Sequence, residues 1–195
     1  MRRNVLFLGL IGSLIVCPAA WATTYKVDPD HTAVEFKIRH VFSNVKGTFD
    51  QFEGTFDYVP DHPEQWRANG TIQTTSINTR VAQRDNHLRS KDFFEVEKFP
   101  TISFKSTEVT DVTPTGAKLH GFLTIHGVEK PVVLDVDVHG VAKDPWGNVR
   151  AGATATTKIN RKDFGLTWNQ VLETGQLLVG EEVEITIEVE GIAQQ

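Results

Sequence analysis

Seven histidines and a single cysteine are the first side chains in this sequence that could do chemistry. A zinc site brings about three or four ligands to one point and is usually announced by two histidines three to five residues apart or by a cysteine pair. His31, His40, His62, His87, His120, His126 and His139 offer no such pair. The tightest spacing, His120 to His126, is six residues, roughly 20 Å along a strand. No metal is expected. A hydrolytic centre needs nucleophile, base and orienting acid in contact. Ser76, Asp85 and His87 are near one another in the chain. No Gly-x-Ser-x-Gly turn presents the serine, however, and Asp85 and His87, two apart on a helix, face different ways. No catalytic residue is assigned and the chain is not expected to be an enzyme. Arg84, Asp85 and His87 are left with two roles, a polar network tying a helix to the rest of the fold or contact with the polar head of a bound amphiphile. His40 joins them as a candidate of the second kind.

What the sequence offers in quantity is apolar surface at period two. Val183, Ile185, Ile187 and Val189 alternate with Glu182, Glu184, Thr186, Glu188 and Glu190, one dry face and one wet, as in a half-buried antiparallel strand. Val132, Leu134, Val136 and Val138 repeat the pattern, as do Val34, Phe36 and Ile38 with His40, Ile102 with Phe104, and Leu119 with Leu123 and Ile125. Between Val45 and Tyr58 the parity changes, with Phe49 on one set and Phe52 and Phe56 on the other. A bulge or bend near Asp50-Gln51 would restore one inward face. Turns are expected at Gly127, at Gly140 with Pro145-Trp146-Gly147-Asn148, and at Thr113-Pro114-Thr115-Gly116.

The fold class that follows is all-β, an antiparallel barrel of about eight strands. One short helix over residues 79–92 closes or flanks it, trailed by Phe93, Phe94, Val96 and Phe99. A barrel of about eight strands is filled by side chains or has room for one small ligand. The segment Val149 to Thr157 is poor in large side chains, which would leave space beside a wall of Phe and Ile. Val34, Phe36, Ile38, Phe49, Phe52, Phe56, Ile72, Ile102, Phe104, Leu119, Leu123 and Ile125 are the candidate lining. At about −0.3 kcal/mol per heavy atom, some forty apolar atoms would contribute roughly −12 kcal/mol, a nanomolar affinity reached with no charged group. The other reading is a filled barrel acting as an envelope-stress or protein-interaction module without a ligand.

The N-terminus reads as an export signal: Arg2 and Arg3, an apolar run from Val5 to Val16, then Ala20-Trp21-Ala22 as a small-x-small cleavage site. The run is well short of the roughly 18 to 20 residues that span a bilayer. Cys17 follows the bulky Leu14-Ile15-Val16, so it is not expected to be lipidated. Cleavage after Ala22 leaves residues 23–195 as one domain of 173 residues without cysteine, its formal charge moving from −5 to −7 as Arg2 and Arg3 are lost. That acidity argues against nucleic acid and against the anionic surface of a membrane as partners. After signal removal no membrane-spanning segment is expected; a homodimer stays open.

Eight pieces of the sequence, in order, resemble the YceI-like family. They are Val27-Asp28-Pro29-Asp30-His31-Thr32; His40 with Val45-Lys46-Gly47-Thr48-Phe49 and Phe52-Glu53-Gly54; Ser76-Ile77-Asn78-Thr79; and Arg84-Asp85-Asn86-His87-Leu88 with Asp92-Phe93-Phe94. Then follow Phe99-Pro100-Thr101-Ile102-Ser103-Phe104-Lys105-Ser106, Gly121-Phe122-Leu123-Thr124-Ile125-His126-Gly127, Arg161-Lys162-Asp163-Phe164-Gly165 and Val179-Gly180-Glu181-Glu182-Val183. The resemblance runs from Tyr25 to Gly191. It implies a lipocalin-like barrel, periplasmic in exported members, that binds a polyisoprenoid chain, an isoprenoid quinone or a similar fatty amphiphile as ligand. It implies no cofactor and no catalytic constellation.

Overall fold

Residues 22–60 and 62–194 are described by the computed structural model, and strands make up most of them. The export signal read at the N-terminus lies, but for Ala22, outside the described residues. The strands are β1 (Thr23–Val27), β2 (Ala33–His40), β3 (Ser43–Phe49), β4 (Phe52–Tyr58), β5 (Arg67–Gln73), β6 (Ile77–Asn78), β7 (Thr101–Thr110), β8 (Gly116–Ile125), β9 (Val128–Lys143), β10 (Val149–Asn160) and β11 (Val179–Ala193). Each neighbouring pair is antiparallel, in the order β1-β4-β5-β7-β8-β9-β10-β11, and β1 pairs back onto β11. β2 prolongs β1 along β11 after the one-turn helix Pro29–His31, and β3 prolongs β4 along β2. Counted this way the sheet is a closed barrel of eight strands, and closure removes the free edges of the main wall.

The change of parity between Phe49 and Phe52 is a bend. β3 and β4 are two halves of one wall strand that breaks at Asp50-Gln51, where the Asp50 N–H donates to the Ser76 carbonyl at 3.2 Å and the Gln73 N–H to that of Gln51 at 2.9 Å. Phe49 and Phe52 therefore both reach the interior.

Gly140 departs from expectation. It is not in a turn but inside β9, which continues to Lys143. Opposite β10 the register passes from Gly152↔Gly140 to Ala153↔Val138, so His139 is an extra residue, and Gly140 absorbs the bulge with φ of 119°, a conformation open to glycine. The turn comes later, where the Asp144 carboxylate accepts from the N–H groups of Trp146 at 3.0 Å and Asn148 at 2.8 Å.

The single α-helix among the described residues, α1 (Ala82–Arg89), is shorter than the expected 79–92. Eight residues are too few for a helix to be stable alone, and contacts hold this one in place. Arg89 donates from Nε to the Thr75 carbonyl at 2.8 Å and from Nη2 to that of Ile77 at 2.7 Å. The aromatic tail follows: Phe93 and Val96 are buried, and Phe94 meets Phe49 edge-on at 5.8 Å. With Ile77, Ile102, Ile125, Phe164 and Leu166 these residues thicken the helix end of the barrel. A smaller cluster of Leu119, Leu134 and Ala155 lies on the wall.

Candidate functional site

The interior is not filled. A cavity of about 450 Å³ lies within the barrel, in the range of pockets that bury small amphiphiles. Strand alternation supplies its wall. Val34, Phe36 and Ile38 come from β2, Phe49 from β3, Phe52 and Phe56 from β4, and Ile72 from β5. Ile102 and Phe104 come from β7, Leu119, Leu123 and Ile125 from β8. All twelve apolar residues singled out from the sequence thus face one space. β9 and β11 add Val132, Leu134, Val136, Val138, Val183, Ile185, Ile187 and Val189.

The room has two local causes. Ala151, Gly152, Ala153, Ala155 and Thr157 of β10 line the cavity with little bulk, as the small-residue segment suggested. The second cause is glycine under aromatic rings. A Cβ on Gly47 would lie 2.5 Å from Phe36 Cζ, and one on Gly121 would lie 2.5 Å from Phe104 Cζ. In both places an aromatic ring occupies room that a glycine on the neighbouring strand leaves free.

Polar groups line the cavity at both ends, Asp57, Arg67 and Asn69 where β4 meets β5 and a second set at the helix end. His40, Arg84 and His87 line the cavity there; Asp85 does not. Arg84 is held by Thr79, donating from Nε to the hydroxyl at 2.7 Å and from Nη2 to the carbonyl at 3.0 Å. His87 Nε2 lies 3.0 Å from the Asp92 carboxylate, and its ring meets those of Trp168 and Phe93 edge-on at 4.9 and 5.1 Å. Asp85 is buried and turned away, accepting from the Thr79 N–H and hydroxyl. Its place as a head-group candidate is therefore corrected: it is bonded to the backbone ahead of the helix. Nor do Ser76, Asp85 and His87 form a triad, since the Ser76 hydroxyl donates to the Gln73 carbonyl at 2.7 Å.

Sequence reasoning passed over Trp168, Leu178, Val179 and Arg161, which also line the cavity. The first three lie in or next to residues 165–178, which have no periodicity to read. Arg161 lies in the one-turn helix Arg161–Phe164 and is 3% exposed. It donates from Nε to the Gly180 carbonyl at 2.8 Å and from Nη1 to that of Leu166, while Nη2 has no partner among the described residues. Burial pushes this guanidinium down from its ordinary pKa, against the pull of Glu181. A buried charge with an unpaired N–H group is costly, so the helix end holds an unused donor close behind the cavity wall.

Asp28, His31 and Glu190 bring ligand-type atoms within 4.8 Å of one another. A cation already serves them. Arg150 Nη1 lies 2.7 Å from Asp28 and 2.5 Å from Glu190, and its Nε lies 2.9 Å from Asp144. The cluster ties β1, β10 and β11 together and belongs to the architecture.

Residues 25–191 match the model of the YceI-like domain. The chain belongs to the YceI-like family. Protein YceI of Salmonella arizonae is 40% identical, with the whole of both chains covered, and so is Protein YceI of Salmonella newport. Among solved structures, the Campylobacter jejuni YCEI protein is 33% identical with a TM-score of 0.70, over 80% of this chain and 90% of that one. Burkholderia cenocepacia BcnA superposes with a TM-score of 0.73 at 21% identity, over 84% and 98%. A polyisoprenoid binding domain from Saccharophagus degradans superposes with 0.65 at 16% identity, over 87% and 98%. The last two show that the YceI-like barrel recurs at low identity, with the same closed fold.

Proposed function

We propose that this YceI-like barrel binds a long apolar lipid, of the polyisoprenoid or isoprenoid-quinone kind, and carries or sequesters it in the periplasm after loss of residues 1–22. The observation that carries the reading is the cavity of about 450 Å³ with hydrocarbon side chains from every side of the barrel. Binding is by desolvation of the tail, which needs no reacting group and no cofactor. A polar head belongs at the helix end, where His40, Arg84 and His87 reach the cavity and Arg161 keeps an unpaired donor. A structure named as a polyisoprenoid binding domain has the same fold, which supports the ligand class in kind. The dispersal of Ser76, Asp85 and His87 favours a binding protein over an enzyme.

The test is mass spectrometry of the organic extract of protein purified from its own host's periplasm without detergent. A stoichiometric prenyl quinone, prenyl phosphate or fatty amphiphile is expected. An extract that stays empty, even after incubation with host lipids, overturns the reading and returns the barrel to the class of interaction modules.

A further inference from the structure

A hydrophobic cargo must enter the barrel from somewhere, and two neighbouring hairpins mark one end. β2 turns into β3 through Val41-Phe42, and Phe42 is 85% exposed. Beside it the Val41 N–H donates to the Leu178 carbonyl at 3.0 Å, which joins this turn to the hairpin closed by the Val171↔Leu177 bridge. Val171 is 69% exposed and Leu177 44%. His40, two residues before Phe42, and Leu178, next to Leu177, line the cavity. Within one or two positions, then, the chain passes from cavity wall to exposed apolar tip. The turn also has a backbone cost: Val41 has φ of 45°, a left-handed conformation disfavoured for a β-branched residue.

We propose that this end is the loading mouth and that it docks on a phospholipid bilayer, with Phe42, Val171 and Leu177 entering the interface. The inference rests on the cargo-binding reading and adds the surface at which cargo is exchanged. Three observations choose the occupant. The apolar groups project from loop tips, the form suited to shallow insertion. Three side chains fall well short of the roughly 800 Å² per partner that a stable protein interface buries, which disfavours a second copy. Position decides between the two ends. The chain runs from the cavity-lining His40 and Leu178 to these tips within two residues, whereas the exposed Val112 and Trp146 at the opposite end adjoin no residue of the lining. Near the tips Arg39, which donates to the Val41 carbonyl at 2.7 Å, is set against Glu173 of the second hairpin, so the patch carries little net charge.

The test is co-sedimentation of purified, delipidated protein with vesicles of phosphatidylethanolamine and phosphatidylglycerol in equal parts, which reads docking without requiring cargo. Wild type is expected to pellet with the vesicles. Phe42→Asp and Leu177→Asp should each bind about tenfold more weakly with circular dichroism unchanged, and Trp146→Ser should bind as wild type does. Absence of wild-type binding, equal binding by Phe42→Asp, or loss through Trp146→Ser instead overturns the proposal. So does a gel-filtration shift showing that Phe42→Asp breaks a dimer, because a second copy would then cover the patch. Failure here leaves the lipid found in the extract standing; an empty extract leaves vesicle binding to be judged by itself.

Discussion

Asp85 and Thr79 are joined twice: the buried carboxylate accepts from the Thr79 backbone N–H at 2.8 Å and from its hydroxyl at 2.5 Å. The same hydroxyl receives Arg84 Nε at 2.7 Å. One aspartate thus fixes the chain ahead of α1 and, through Thr79, the arginine that lines the cavity. Asp85→Ala leaves the Thr79 N–H buried without a partner, and a loss of about 1–3 kcal/mol in urea unfolding is expected. Asp85→Asn, which retains an acceptor, should fall between it and wild type. Equal stability for all three proteins would mean that the pair does not hold the helix.

The rings of Phe36 and Phe104, each set against a glycine of the neighbouring strand, lead to a second prediction. In Gly47→Ala the new methyl would lie 2.5 and 2.7 Å from two carbons of the Phe36 ring and 3.0 Å from the Asn78 carbonyl. The ring has to swing off the wall into the cavity, an overpacking that costs about 1–3 kcal/mol. A lower Tm and less lipid retained per barrel are expected together. A normal lipid content with lowered Tm would show that the ring finds another place. Gly121→Ala should be more severe, since its methyl also meets the Lys105 carbonyl at 2.6 Å, and backbone gives way less readily than a ring.

How much of this was legible in the sequence depends on whether a local rule was at work. Strand period is such a rule, and it gives Val183, Ile185, Ile187 and Val189 as one face and Phe49 and Phe52 as neighbours across a bend. The small residues of β10 were legible as space for the same reason. Gly140 was misread because glycine serves turns and bulges alike, and only the register against Gly152 separates them. Of the two roles read for Asp85, the polar network that ties the helix is the one its bonds to Thr79 support, and the head-group role fell away because that partner is met only once the chain folds back on the helix. Trp168 and Leu178 gave no signal, since neither helix nor strand period orders the residues around them between β10 and β11. The acidic cluster of Asp28 and Glu190 with His31 gave no sign in the sequence, because Glu190 and the Arg150 that lies between the two carboxylates are far along the chain from Asp28.

That arginine gives a third prediction. Hydrogen bonding to Arg150 holds Asp144 well below the ordinary carboxylate value of 3.8, and lowers Asp28 as well against the opposing effect of burial. A carboxylate whose pKa is depressed by folding contributes stability above its unfolded value and loses that contribution as pH falls through the folded one. Wild type should therefore lose stability progressively below about pH 4. In Arg150→Met the largest cause of each shift is removed, while the Asn148 and Trp146 bonds to Asp144 and the His31 and Asp30 bonds to Asp28 remain, so this part of the acid-side slope should shrink. Urea midpoints measured at neutral pH and down the acid range would show it. Parallel curves for the two proteins would contradict the assignment of the acid sensitivity to this cluster.

Ala153 lets the cavity and the filled barrel be told apart by opposite signs. It is half-buried on β10, opposite Val138 of β9 and Val189 of β11, and it faces the cavity. If that space is held open for lipid, Ala153→Phe places a ring where there is room and removes apolar wall from contact with water in the empty barrel. The delipidated variant should then match or exceed wild type in Tm while retaining much less lipid. Were the interior closely packed in solution, the same ring would overpack it and cost about 1–3 kcal/mol, with lipid content unchanged because none is held. Tm and extracted lipid measured on the same two preparations separate these outcomes. A loss of stability without a change in lipid would overturn the cavity as the seat of binding.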